Sequence, residues 1–148
     1  MSGQAPPGRD EFARFETLTT RWSDNDVYGH MNNAVHYRLF DTAVNGFLIG
    51  QGLLDIKAGD QVFLVVETGC RYFSEMAFPD VIHAGLSVAY LGNSSVSYRI
   101  GLFANDAASA AAVGQFVHVN VDRQTRRPVA ISGRVREALE ALMPDQQG

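Results

Sequence analysis

The sequence predicts an α+β fold, with one antiparallel five-stranded sheet wrapped around one long helix and a short helix at the end. Three observations predict it. Residues 35–48 carry an apolar stripe at helical spacing. Residues 60–122 read as four consecutive strand-like runs. No helix separates those runs, so a parallel sheet built from βαβ units is excluded.

The elements follow in chain order. Residues 1–10, "MSGQAPPGRD", are rich in Pro, Gly and polar groups and are expected to form a flexible tail. They lack the apolar core of a secretory signal. Residues 11–148 are expected to form one domain, because 148 residues, 46% of them hydrophobic, suit a single core. "FARFETLTTRW", residues 12–22, mixes β-branched and aromatic residues with polar ones, as a strand does. "DNDVYGHMNN", residues 24–33, then interrupts the pattern.

In "NNAVHYRLFDTAVNGFLIGQG", Val35, Leu39, Ala43 and Phe47 are spaced by four, with Phe40, Val44 and Leu48 beside them. That is one wide apolar helix face. Asn32 or Asn33 is the expected N-cap, and Gly50 or Gly52 the expected stop. About 17 residues give roughly 25 Å of helix. The strand runs are "DQVFLVVETGCRYF", "DVIHAGLSVAYLG", "SSVSYRIGLF" and "AAAVGQFVHVNVD". "SEMAFPD", "LGNSS" and "ANDAAS" break them as turns. "SGRVREALEALM" starts at a candidate Ser132 cap and has one apolar face of Val135, Leu139 and Leu142, which predicts a short helix.

Composition narrows the function classes. Lys and Arg total 12 against 16 Asp and Glu, so the formal charge is −4. Such a chain has no global field for nucleic acid, and it shows no basic stripe among its aromatics. No run reaches the roughly 18–20 apolar residues of a membrane helix. Cys70 is the only cysteine, so no disulfide can form within the chain, which fits a reducing cytoplasm.

The chemistry concentrates in "DNDVYGHMNN". It begins like a calcium loop, but the fifth ligand position is Tyr28 and the twelfth is Val35 rather than a glutamate. His30 and His36 are six apart, not four, so a zinc helix does not fit either. No metal site is expected. Each Asp or Asn before a helix is explained by capping and by the helix dipole. Several together, with Gly29 and a titratable His30, exceed what a cap needs. A carboxylate ahead of a helix N-terminus combines a nucleophile or general base with free N–H groups for a developing oxyanion. No Gly-x-Ser-x-Gly elbow is present, so an acyl-transfer site here would use the carboxylate directly.

"RWSDNDVYGHMNNAVHYRLFD" resembles the Asp-x-Asp-x-x-Gly-His-x-Asn-Asn signature of hotdog-fold acyl-CoA thioesterases. It is most similar to the 4-hydroxybenzoyl-CoA thioesterase-like branch. The resemblance covers roughly residues 12–131 and includes "YLGNSSVSYRIGLF", similar to the family's Gly-x-Ser-Ser strand start. It implies a cytoplasmic homo-oligomer, dimer or tetramer, with active sites at the subunit interface. The implied substrate is an acyl-CoA, with acyl carrier protein as the other carrier, and coenzyme A is part of that substrate rather than a cofactor.

Carried over by position, Asp26 matches the catalytic aspartate and His30 the histidine lining the site. Asn33 falls where the backbone N–H polarises the thioester carbonyl. Asp24 matches a more variable acidic position with a supporting role or none, dispensable for the chemistry. Tyr28 and Asn32 are expected beside the substrate. Ser94 and Ser95 are expected at the pantetheine arm, or at the helix-end site across a dimer. By their chemistry rather than by a matched position, Arg127 and Arg126 are expected either at the coenzyme A phosphates, which suit arginine, or in a solvated loop. One departure is His36, which stands where the family has an aromatic wall of the acyl pocket. Two other readings remain: a hotdog hydratase or dehydratase, and a non-catalytic acyl-CoA or small-ligand binding module. Glu67 is expected either inward with a partner or on its strand's polar face. Asp41 is expected at the surface or in a salt bridge, and Cys70, Met76 and Trp22 in packing.

Overall fold

The computed structural model describes residues 5–144. Five strands are present: β1 (Arg14–Thr19), β2 (Gln61–Tyr72), β3 (Val81–Leu91), β4 (Ser95–Ala104) and β5 (Ala112–Asp122). The helices are α1 (Val35–Gly50) and α2 (Gly133–Glu140). The strands form one sheet in the order β1-β3-β4-β5-β2, every pair antiparallel. The chain therefore has the hotdog arrangement that the strand–helix–four-strand order predicts. The four long strands lie within two residues of the expected runs, because each is bounded by turn chemistry that cannot continue a ladder.

α1 packs against the sheet, touching β1, β2, β3 and β5. Leu39, Phe40, Ala43, Val44, Phe47 and Leu48 are all buried, so the expected stripe faces the core. β4 alternates, sending Val96, Tyr98, Ile100 and Leu102 to meet it, each 0% exposed. Phe40 presses onto the β5 backbone at Gly114, where even a methyl group would collide with the ring. α1 stops at Gly50, and Gly52 follows at φ +70, where a side chain would be strained. α2 and the turn after it close one end, with Leu139 and Leu142 buried, and Ser132 stands at the N-cap position of α2, although no side chain caps it there.

Three expectations at the N-terminal end need correction. Residues 1–4 of the expected tail lie outside the described residues. Pro7 and Gly8, however, are tied down: the Ala110 N–H donates to the Pro7 carbonyl at 2.9 Å, and Gly8 bridges Ser109. The Arg9 guanidinium adds bonds to the Ala107 and Asn105 carbonyls at 2.8 and 2.7 Å. The first strand is also shorter than 12–22. Phe12 turns onto the outer sheet face, where Gly85 and Gly101 leave room for its ring beside Phe103. Trp22, expected to pack, is 77% exposed in a turn.

His118 on β5 is the most deeply buried histidine among the described residues. It is 1% exposed and stacks on Phe63 at 5.3 Å, with Phe116 and Tyr98 edge-on. Burial pushes its pKa down to about 4. In an unfolded chain histidine titrates near ~6.5. Between these values the unfolded chain takes up a proton that the folded protein refuses, so stability is complete above about pH 6.5 and falls as the pH drops towards 4. The gap corresponds to about 3 kcal/mol. Burial also lowers His36, which steepens the same limb. Urea midpoints are expected to drop between pH 7 and pH 4.5, and His118→Phe to flatten most of that slope. A parent midpoint independent of pH would contradict this.

Candidate active site

The stretch "DNDVYGHMNN" folds as a small closed hairpin at the entrance to α1. Asn25 and Met31 form an antiparallel bridge, and the Asp26 N–H donates to the His30 carbonyl at 2.7 Å. Asp26 Oδ1 accepts the Tyr28 N–H at 2.8 Å and the His30 N–H at 3.3 Å. This is an aspartate closing its own turn, and Gly29 at φ +83 supplies the left-handed residue the turn requires. Asp26 itself is exposed, and its second oxygen, Oδ2, takes no hydrogen bond among the described residues. One oxygen is thus anchored and the other open.

The hairpin is strapped to the segment after β2. The Met31 N–H donates to the Met76 carbonyl at 2.7 Å, and the Phe78 N–H to Asn25 Oδ1 at 2.9 Å. His30 Nε2 meets Glu75 Oε2 at 3.0 Å. Met76 is 2% exposed, in packing as expected.

Asn32 and Asn33 form the last turn before α1. Asn32 Oδ1 accepts the Ala34 N–H at 2.9 Å, and the Asn32 carbonyl accepts the Val35 N–H at 2.9 Å. The expected asparagine N-cap of α1 is not found: Ala34 is the helix's boundary residue, with no side-chain cap, and Asn32 instead closes the turn before it. The Asn32 N–H goes to the Asp24 carbonyl at 2.9 Å. The Asn33 N–H is used by none of the bonds of this turn among the described residues. Its carbonyl accepts the Tyr72 hydroxyl at 3.0 Å and faces His36 Nδ1 at 3.2 Å. His36 is 3% exposed, its ring edge-on to Tyr72 at 4.7 Å. The position in doubt for the acyl wall is thus filled by a histidine turned onto the turn itself.

Asp24 is not dispensable to this architecture. It is 0% exposed, with Arg38 Nη2 donating to Oδ1 at 2.7 Å and the Arg21 N–H to Oδ2 at 2.8 Å. Burial pushes its carboxyl up, but the Arg21 N–H and the Arg38 charge outweigh that and leave it below the usual carboxylate range. Arg38 sits on the first turn of α1, so this pair fixes the hairpin to the helix.

The expected residues divide into two groups. Asp26, Tyr28, His30, Asn32 and Asn33 share one hairpin and turn. Ser94, Ser95 and Arg127 do not join them within one chain. Tyr72, beside Asn33, pairs with Ala112, whereas Ser95 pairs with Val119, seven residues further along β5. That is about 23 Å at roughly 3.3 Å per residue. Arg127 lies in the turn beyond Asp122, at the same far end. Glu67 is exposed on the edge strand β2, beside the exposed Val65 and Val66, and Asp41 is exposed, bonded to Asn45. Sequence reasoning passed over Arg38, Glu75 and Tyr72. Their partners lie 14, 45 and 39 residues away, and no local pattern marks such contacts.

Among the described residues no three His, Cys, Asp or Glu side chains cluster to hold a metal ion, and no helix is long and apolar enough to cross a membrane.

The same architecture occurs in solved structures. The PA5185 protein from Pseudomonas aeruginosa strain PAO1 is 50% identical, with a TM-score of 0.92 over 97% of this chain and 100% of that one. A thioesterase complexed with coenzyme A and Zn from Thermus thermophilus is 26% identical, with a TM-score of 0.72 over 88% of this chain and 95% of that one. Slr0204, a 1,4-dihydroxy-2-naphthoyl-CoA thioesterase from Synechocystis, shares the fold at 16% identity, with a TM-score of 0.76 over 84% of this chain and 93% of that one. No curated protein matches the chain. Residues 20–139, which hold the hairpin, α1 and all strands but β1, match the model of one family, and the chain belongs to the thioesterase-like superfamily.

Proposed function

We propose that the protein is an acyl-CoA thioesterase that hydrolyses its substrate to a carboxylate and free coenzyme A. The observation that carries this is the Asp26 carboxylate, with one oxygen anchored by two N–H groups and the other open, seven residues ahead of an Asn33 N–H that is likewise unused among the described residues. Asp26 Oδ2 attacks the thioester carbonyl or activates the water that does. The Asn33 N–H, at the entrance to α1, receives the developing oxyanion. The family and a fold relative that binds coenzyme A support this substrate class.

The site is assembled from two copies. β2 is a 12-residue sheet edge with Val65, Val66 and Tyr72 exposed, a form that isolated soluble chains avoid. Trp22, Val27 and Tyr28 are 77, 93 and 81% exposed on and beside the hairpin. Antiparallel pairing of β2 with its copy sets the Gln61 end of one strand against the Tyr72 end of the other. The Arg127 turn, which follows the strand paired to Gln61, then approaches the second copy's hairpin. That gives Arg127 and, farther in, Ser94 and Ser95 a place at the nucleotide and pantetheine.

The test is free-thiol release from short-chain, long-chain and aromatic acyl-CoAs and from acyl carrier protein thioesters, with the oligomeric state measured by sedimentation. Turnover of one acyl-CoA class by a dimer or tetramer is expected. Acyl-CoA binding with no thiol release would identify a binding module instead. Water addition to a crotonyl thioester would identify a hydratase.

A further inference from the structure

We infer that the sheet face turned away from α1 carries a second binding site, a trough between Arg71 and Arg99 that takes a small organic carboxylate; the site stands independently of the thioesterase reading.

Strand alternation assembles it. Tyr98 and Ile100 are buried on the α1 side, so Ser97 and Arg99 point out of the other face. Gly114 meets the Phe40 ring, so Val113 and Gln115 point outward with them. Tyr72 reaches the Asn33 carbonyl on the α1 side, so Arg71 stands opposite. The register sets Arg99, Gln115 and Gly69 side by side across β4, β5 and β2, with Arg71 and Val113 paired in the next outward row. These residues line a trough of about 450 Å³. An adjoining hollow of about 340 Å³ shares Arg71, Arg99 and Val113 and adds Glu11 and Phe73. Gly69 keeps the trough open, because a Cβ there would meet no atom within 4 Å. Small-molecule sites are hollows of roughly 300–1,000 Å³, mostly apolar, with a few placed polar groups.

The polar groups select the ligand. Arginine offers parallel N–H bonds to a carboxylate or a phosphate. Arg99 is held from one side: its Nη1 donates to Glu11 Oε1 at 3.2 Å, and its guanidinium lies 5.1 Å from the centroid of the Phe12 ring. Its other N–H groups have no partner among the described residues. The charged side chains around the two hollows are Arg71, Arg99 and Glu11, two positive against one negative. That balance matches the single charge of a carboxylate and falls short of a phosphate, which carries nearly two. Glu67, in the next outward row of β2 on the other side of Gly69, lines neither hollow. Gln115 and Ser97 add groups that both donate and accept. Val113 and the bare backbone of Gly69 give the ligand's apolar body a floor.

The probes are hexanoate and inorganic phosphate, added to the intact protein and followed through its backbone amide resonances. Hexanoate is expected to shift the Gly69 and Gln115 amides along a saturable curve with a millimolar midpoint, as suits a ligand of its size. Arg99→Met should raise that midpoint about tenfold. Gly69→Leu should abolish the shift by filling the trough, and should melt no lower than the parent, because it adds a side chain in open space on a strand. The Gly29 amide reports the hairpin separately. Hexanoate held there as a reaction product moves Gly29 in the parent and in both variants alike, and a parent that hydrolyses no thioester leaves the Gly69 and Gln115 shifts as expected. Gly69 and Gln115 amides unmoved by hexanoate overturn the inference. A midpoint that Gly69→Leu leaves unchanged also overturns it, because the ligand would then lie elsewhere. Phosphate shifting the same amides at lower concentration than hexanoate overturns the carboxylate assignment. A parent oligomer that Arg99→Met or Gly69→Leu dissociates, with no hexanoate shift in the parent, overturns it too, because a second copy would then be what covers this face.

Discussion

Asp26→Asn is expected to lose thioester hydrolysis by about 10²–10⁴-fold while melting at the parent temperature. The two halves of that expectation have separate causes. Folding needs Asp26 only through Oδ1, which accepts the Tyr28 and His30 N–H groups. An asparagine carbonyl accepts the same two bonds, and the residue is exposed, so no buried charge is created or stranded. Chemistry needs the other oxygen. An amide neither attacks a carbonyl nor takes a proton from water at neutral pH, so both versions of the mechanism stop. The loss corresponds to about 3–5 kcal/mol of transition-state stabilisation. Asp26→Ala should lose the activity and also loosen the hairpin, because it removes the acceptor as well. An Asp26→Asn variant that hydrolyses the best substrate of the acyl-CoA screen as fast as the parent would remove Asp26 from the mechanism. Hydroxylamine capture of an acyl group from the parent during turnover would favour direct attack over water activation.

How much of this was legible in the sequence depends on how far apart the interacting residues lie. α1 was readable because its apolar stripe repeats every four residues and needs no knowledge of what it packs against. The long strands were readable because turn residues bound them. The hairpin residues from Asp26 to Asn33 assemble locally, within one turn and its neighbour, so their grouping survives in the fold. Where reading failed, a distant partner had decided the outcome. Phe12 left the first strand because Gly85 and Gly101 offer a recess for its ring. Trp22 was expected to pack, but its turn faces outward, against the edge of Phe78 at 6.1 Å. Phe40 and Phe47, on the expected apolar face of α1, are core, at 0 and 3% exposure. Ser94 and Ser95 matched a family pattern in sequence, and Arg127 was assigned to phosphate by its chemistry, yet all three lie at the far end of their own sheet. A motif records which residues meet, not whether they meet within one chain.

Asp24 shows the same effect with the larger stability consequence. Asp24→Asn is expected to destabilise the fold by about 3 kcal/mol. A buried ion pair that loses one partner costs about 3–5 kcal/mol when the other charge is stranded. Here the stranded groups reach water, since the Arg38 and Arg21 side chains are 40 and 61% exposed, so the cost falls towards the lower end of that range. What cannot reach water as easily is the Arg21 N–H, whose acceptor is Asp24 Oδ2. The variant must turn its amide either towards that N–H or towards Arg38, and it fails one of them in each orientation. The pH dependence separates this contribution from that of His118. With a folded pKa below the usual carboxylate range, Asp24 contributes stability that is present above the unfolded value near ~3.9 and lost as the pH falls through the folded one. The Asp24→Asn variant should therefore lack the steepest part of the acid limb below about pH 4, while keeping the limb between about pH 6.5 and 4. A double-mutant cycle with Arg38→Met should return a coupling of at least about 1 kcal/mol, because the two side chains are in direct contact. Activity gives the sharper contrast. Asp26→Asn should leave a stable protein that does no chemistry. Asp24→Asn should leave a protein whose activity declines with its melting temperature, because its hairpin is no longer fixed to α1. If Asp24→Asn melts within about a degree of the parent, the Asp24–Arg38 pair is not what fixes the hairpin.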